Sequence, residues 1–174
     1  MKILMIRHAS RVPGPDNPSL PLSPEGEEEC RRLAAKLVQE RLIPVHYMSS
    51  RHSHATRTAE LLRQFIGSSA TSVAVTPLAT LTPGCEFTPE KIFLEAKMRG
   101  ADLRSPDCIA WILHHPRFQQ LISQMTSQPE AGTKPQGAEA ACLEAEDIDA
   151  FVGGTAVECQ RIVSSTTSQP RFTR

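Results

Sequence analysis

The sequence predicts an α/β fold, a three-layer sandwich in which a mostly parallel central sheet is flanked by helices. Three observations predict it. The chain opens on Ile3, Leu4, Met5 and Ile6, a continuous apolar run that suits a parallel strand covered on both faces. Strand signals then alternate with helix signals along the chain, as parallel sheets with helical crossovers require. Finally, three predicted strands run straight into histidines: His8, then His52 and His54, then His114 and His115. The carboxyl ends of strands are where open α/β sheets bind ligands.

The first strand delivers Arg7 and His8 to the sheet edge. A loop of Pro, Gly, Asp and Asn follows at residues 11–21; it is too rich in turn residues for regular structure and long enough to wall a site. Ser23-Pro24-Glu25 opens a helix, with Ser as N-cap, Pro in the first turn and the acids Glu25, Glu27, Glu28 and Glu29 suiting the positive end of the dipole. Cys30, Leu33, Ala34, Leu37 and Val38 form its apolar face, and Pro44 marks the exit.

Residues 45–48 read as a second strand, ending in the polar cluster 49–54. The next helix buries Ala55, Ala59, Leu62 and Ile66 and stops at Gly67. Residues 73–75 are a third strand candidate. Leu81-Thr82-Pro83-Gly84 is a turn, and Thr88-Pro89-Glu90 starts a helix to about Met98. Residues 108–113 form a buried strand ending on His114-His115, and Pro116 begins a helix with Phe118, Leu121, Ile122 and Met125 on one side. A Pro/Gly/Gln loop at 128–137 precedes two further strands, 139–143 and 157–163, joined by a segment with a helical turn. The expected organisation is one domain over residues 1–165 and a polar tail at 166–174.

At 174 residues, 40% apolar and 22% charged, the chain has the make-up of an ordinary globular protein. Its formal net charge of zero gives no reason to expect nucleic acid or an anionic membrane as partner, so any anion site must be a local cluster. Five widely spaced cysteines without a CxxC pair point to a reduced, cytoplasmic setting rather than a disulfide framework or zinc knuckle. Residues 1–6 are too short for a signal peptide, and no run approaches a membrane span. Oligomeric state is not encoded in any of these features.

The motifs then become specific. Ile6-Arg7-His8-Ala9-Ser10 resembles the Arg-His-Gly/Ala signature of the histidine phosphatases, the superfamily that contains phosphoglycerate mutase. Leu20-Pro21-Leu22-Ser23-Pro24-Glu25-Gly26 is similar to the segment that leads into that family's first helix. Ser49-Ser50, followed by Ala55 and Thr58-Ala59-Glu60, resembles its second motif, and His114-His115-Pro116 its Gly-His-Asn-Pro motif. The four stand in the family's order over residues 1 to about 125. The short chain and the turn at Leu81-Thr82-Pro83-Gly84 resemble the small SixA-like branch, whose members remove phosphate from phosphohistidine in signalling proteins. The resemblance implies a phosphoglycerate mutase-like fold and a metal-independent phosphatase without cofactors, acting on a phosphorylated protein or a small phosphorylated metabolite.

In that scheme His8, as a neutral imidazole, attacks phosphorus in line to form a phosphohistidine that water hydrolyses. The adjacent guanidinium of Arg7 opposes protonation of His8 and offers a planar fork to the phosphoryl oxygens. His114 occupies the position of the second catalytic histidine, where a protonated ring would stabilise the equatorial oxygens. Ser50 and the amides opening its helix add a partial positive field. The chain departs from the pattern at two places. His54 stands where the family has its phosphate-gripping arginine, so Arg57, one turn further on the same helix face, or Arg51 is expected to supply the missing cation. The candidate general acid is Glu86, just after Pro83-Gly84.

A P–N bond to imidazole breaks with less help from an acid than an alkyl ester does, so a weak acid favours phosphohistidine. A small phosphomonoester remains the alternative substrate. An anion-binding module whose catalysis is disabled by His54 is a second alternative. A metallohydrolase using His52, His54, His114 and His115 is a third, weakened by the lack of a carboxylate ligand beside them.

Overall fold

The computed structural model describes residues 1–15, 17–67, 75–101, 103, 108–126 and 138–163. In chain order the elements are β1 (Lys2–Arg7), α1 (Pro24–Gln39), β2 (His46–Ser49), α2 (Ser53–Ile66), β3 (Val75–Pro77), α3 (Pro89–Met98), β4 (Cys108–Leu113), α4 (Arg117–Thr126), β5 (Glu139–Glu144), α5 (Ile148–Val152) and β6 (Val157–Val163). The strands form one sheet in the order β3-β2-β4-β1-β5-β6. Pairs β1–β4, β2–β4 and β2–β3 are parallel, whereas β5 runs antiparallel to β1 and β6 antiparallel to β5. The mostly parallel sheet thus carries an antiparallel edge.

Strand alternation divides the core in two. Leu4, Ile6, Tyr47, Ala110, Ile112 and Ala140 pack on one face against α1 and α2. Ile3, Met5, Met48, Ile109, Trp111 and Leu113 pack on the other against α3, α4 and α5. Helices on both faces make the three layers. Because β1 and β4 sit centrally, Ile3, Leu4, Met5 and Ile6 are all fully buried, as their unbroken apolar run requires.

Local chemistry sets the helix starts. Ser23 Oγ accepts from the Gly26 amide at 3.1 Å, Thr88 Oγ1 from Lys91 at 3.3 Å and Asp147 Oδ1 from Ala150 at 2.9 Å, each relieving an orphan donor of a first turn. Several details differ from expectation: β2 is His46–Ser49 rather than 45–48, β5 reaches Glu144 rather than 143, and Ile66 is only partly buried. Val38 is 46% exposed, because the buried stripe of α1 ends at Leu37. The third strand spans Val75–Pro77 rather than ending at Val75. Residues 73 and 74, the loop at 128–137 and the tail at 166–174 lie outside the described residues. No helix among the described residues is long and apolar enough to cross a membrane.

Candidate active site

Register alone brings the key residues together. Arg7 pairs with Leu113 across β1 and β4, so His8 and His114 leave the sheet side by side; the His8 amide still donates to the Leu113 carbonyl at 3.0 Å. Ser49 pairs with Ile112 across β2 and β4, and the Ser50 amide donates to the Ile112 carbonyl at 2.9 Å. Three adjacent strand ends therefore present Ser50, His114 and His8 in a row. Helix α2 starts directly after β2 and adds His54 from its first turn.

The result is a cluster of four imidazoles. Ring centroids lie 4.7 Å apart for His8 and His114, 4.4 Å for His8 and His54, and 5.1 Å for His54 and His114. His52 stands 4.7 Å from His114 and 5.4 Å from His54. Ligand atoms of His8, His54 and His114 all lie within 4.8 Å of one another, and among the described residues these three side chains form the group that could hold a metal ion. His115 instead turns to Gln119 on the surface, Nε2 to Oε1 at 3.2 Å.

Backbone carbonyls fix the tautomers of His8 and His54. His8 Nδ1–H donates to the Ala9 carbonyl at 2.8 Å, which leaves Nε2 to carry the lone pair. His54 Nδ1–H donates to the Leu20 carbonyl at 3.3 Å. His114 Nε2 lies 2.6 Å from Ser50 Oγ, so Nδ1 is the nitrogen it offers to a bound group. Burial, with the charges of His54, Arg7 and Arg11, lowers the His8 pKa to about 3. Burial and the neighbouring histidines lower that of His114 to about 2. Both rings are neutral at pH 7 without an anion. For His8 this is the state a nucleophile needs; a protonated His114, as the motif's scheme uses it, requires the charge of a bound anion.

The wall expected from residues 11–21 is present. Arg11 bridges Leu22, the Val12 amide donates to the Pro21 carbonyl at 3.1 Å, and the Ser53 amide donates to the Pro18 carbonyl at 2.8 Å. The loop thereby covers the start of α2 and takes one of the helix amides that were expected to face an anion.

The supporting side chains were not foreseen. Glu29 is buried and accepts from the Ser10 amide at 2.9 Å, the Ser10 hydroxyl at 2.8 Å and the Ala138 amide at 3.0 Å; burial lowers the pKa of Arg7, and the charge of Glu29 opposes that shift. A carboxylate read as a dipole partner is thus the tie between the loop after β1, α1 and the residue that leads into β5. Its signal was its place in the stripe Gly26, Glu29, Cys30, Leu33, which is helical spacing for the buried face. Thr58 Oγ1 accepts from the Ala9 amide at 3.2 Å and donates to the His54 carbonyl at 2.7 Å, linking the two histidine-bearing segments. Gly26 leaves room for the loop: a Cβ there would lie 2.0 Å from the Ser10 carbonyl oxygen.

The predicted cations and acid go elsewhere. Arg57 is exposed, 3.3 Å from Glu60 and 4.0 Å from Glu27. Arg51 is exposed near Glu95 at 3.8 Å, with its amide tied to Thr82 Oγ1 at 2.9 Å. Glu86 is exposed and paired with Lys91 at 2.7 Å. The hydrogen bond and charge of Lys91 lower its pKa, opposite to what a general acid requires. Each finds a complementary surface charge; the Arg57–Glu60 pair is legible as i,i+3 helix spacing, whereas Glu95 beside Arg51 comes from a distant element. The guanidinium groups whose charge bears on the histidines are Arg7 and Arg11 at His8 and Arg117 at His114. Arg117 is buried on Phe87, 4.2 Å from the ring centroid, and donates to the Thr80 carbonyl at 2.9 Å and to the Cys85 carbonyl.

No family model and no curated protein matches the sequence. Solved structures do match the fold. The tungstate complex of the protein histidine phosphatase SixA aligns over 94% of this chain and 97% of its own, with a TM-score of 0.73 and 16% identity. A putative phosphohistidine phosphatase SixA from Agrobacterium tumefaciens aligns over 93% and 97%, with a TM-score of 0.68 and 12% identity. Phosphoglycerate mutase from Bacillus anthracis str. Sterne aligns over 88% and 96%, with a TM-score of 0.60 and 14% identity. The chain has the fold that these proteins share, as the motifs in residues 1 to about 125 implied.

Proposed function

We propose that the chain is a metal-independent phosphatase that works through a phosphohistidine on His8, with protein phosphohistidine as its substrate. The observation that carries this reading is the pairing of His8 and His114, rings 4.7 Å apart, with Nδ1 of His8 held by the Ala9 carbonyl. His8 Nε2 attacks the phosphorus, the P–N bond forms as the bond to the leaving group breaks, and the leaving group takes a proton from solvent or the pocket. Water then attacks the phosphohistidine, releasing phosphate and restoring the imidazole. Arg7, beside His8, supplies fixed positive charge. A phosphoryl dianion in the cluster favours protonated His114 and His54, so the positive charge there comes with the ligand.

The substrate follows from the missing acid. With Glu86 held ionised by Lys91, alkoxide leaving groups lack the carboxylic acid expected at that position, whereas imidazole leaves with less need for one. The test compares three substrates: a phosphohistidine peptide, an aryl phosphate and an alkyl phosphate. The expected order of kcat/KM is peptide, then aryl, then alkyl; a preference for alkyl phosphates would overturn the substrate assignment. His54 in place of arginine also favours a second reading, an anion-binding module. Sulfate binding with no turnover of any of the three substrates would select it.

A further inference from the structure

We propose that His8, His54 and His114 form a site for a divalent transition-metal ion of the zinc class, and that this ion and phosphoryl transfer exclude one another. The exclusion, though not the binding, rests on the phosphatase reading. The arginine position of the motif carries His54, and this places a third imidazole among rings that otherwise serve an anion. Ligand atoms of the three histidines lie within 4.8 Å of one another. Tetrahedral zinc with Zn–N of about 2.0–2.1 Å needs its nitrogens about 3.3 Å apart, so binding has to draw the three rings closer together. Each ring already has the outer partner of a metal-bound histidine: the Ala9 carbonyl for His8, the Leu20 carbonyl for His54 and Ser50 Oγ for His114. Those bonds leave Nε2 of His8 and His54 and Nδ1 of His114 as the ligand atoms.

Three neutral nitrogens and an open fourth position suit zinc, cobalt(II) or copper(II), and hard cations such as magnesium poorly. Arg7 opposes a dication, but Glu29 and Glu139 both act on its charge, and an anion or hydroxide in the fourth position offsets the rest. Metal binding engages the lone pair of His8, so the nucleophile is withdrawn while the ion is present.

The test uses the untagged full chain stripped of metal with a chelator. Titration with cobalt(II) is expected to give about one ion per chain with the intense visible absorption of a tetrahedral centre, and calorimetry with zinc the same stoichiometry. In His54→Arg and His114→Gln, shown to be folded by circular dichroism, affinity is expected to fall by more than the roughly tenfold to hundredfold that losing an outer partner produces; His115→Ala is expected to bind as the parent does. Zinc is expected to slow hydrolysis of an aryl phosphate and EDTA to restore it. Cobalt that binds the parent no better than folded His54→Arg, or only in octahedral form, overturns the site whether or not the chain has phosphatase activity. Zinc that accelerates turnover overturns the exclusion.

Discussion

Ser50 Oγ lies 2.6 Å from Nε2 of His114, and the two residues arrive there from neighbouring parallel strands, β2 and β4. The motif's resemblance assigns Ser50 to the phosphate; its hydrogen bond to His114 adds the role of orienting that ring. Ser50→Ala is therefore expected to lower kcat by about tenfold to a hundredfold, the range for losing an outer partner of a functional histidine, with KM little changed. Steady-state kinetics on an aryl phosphate check it. A rise in KM at constant kcat would mark Ser50 as a ground-state ligand instead.

Gly26 has no room for a side chain. A Cβ 2.0 Å from the Ser10 carbonyl oxygen forces the loop after β1 away from α1. Gly26→Ala is expected to cost about 3 kcal/mol, the upper part of the overpacking range, or roughly 6–12 °C in Tm. Thermal melting by circular dichroism reads it.

Glu29 separates charge from hydrogen bonding. Glutamine keeps an oxygen for the Ser10 and Ala138 amides and offers its NH2 to the Ser10 hydroxyl. Glu29→Gln is thus expected to stay within about 1 kcal/mol of the parent, whereas Glu29→Ala strands two amides and costs about 3 kcal/mol. Denaturant titration of the two variants distinguishes them; equal losses would mean that the charge, not the bonding, is what the site needs.

The fold was legible where the signals are local. The apolar runs of β1 and β4, the cap Ser23 and the helix start at Thr88 depend on residues a few positions apart. His8 and His114 were legible through the motifs and confirmed as neighbours by the parallel register. What was not legible depends on elements far apart in the chain. Arg51 meets Glu95 from α3, Arg57 meets Glu27 from α1, and Glu29 meets the amide of Ala138 at the start of β5. A helical repeat shows which face a charge lies on but not which partner the fold brings to it.

Acid should loosen the fold through the histidines. In the unfolded chain His8 and His114 take up protons below about pH 6.5, whereas in the folded chain they resist until about pH 3 and about pH 2. The unfolded state then binds more protons, so stability falls with falling pH, by up to about 1.4 kcal/mol per unit for each ring. The loss levels off at the folded values. Tm is expected to drop between pH 7 and pH 5, and the drop to shrink in His8→Asn combined with His114→Asn. An unchanged slope would mean that the two rings are not held neutral by burial.

The central claim is that His8 carries the phosphoryl group. Rapid acid-free quenching of the chain with a radiolabelled phosphohistidine peptide, followed by peptide mapping, tests it most directly. The account predicts an acid-labile, alkali-stable label on the peptide containing His8, absent in His8→Asn. Turnover that persists in His8→Asn, or a label on another residue, would contradict it.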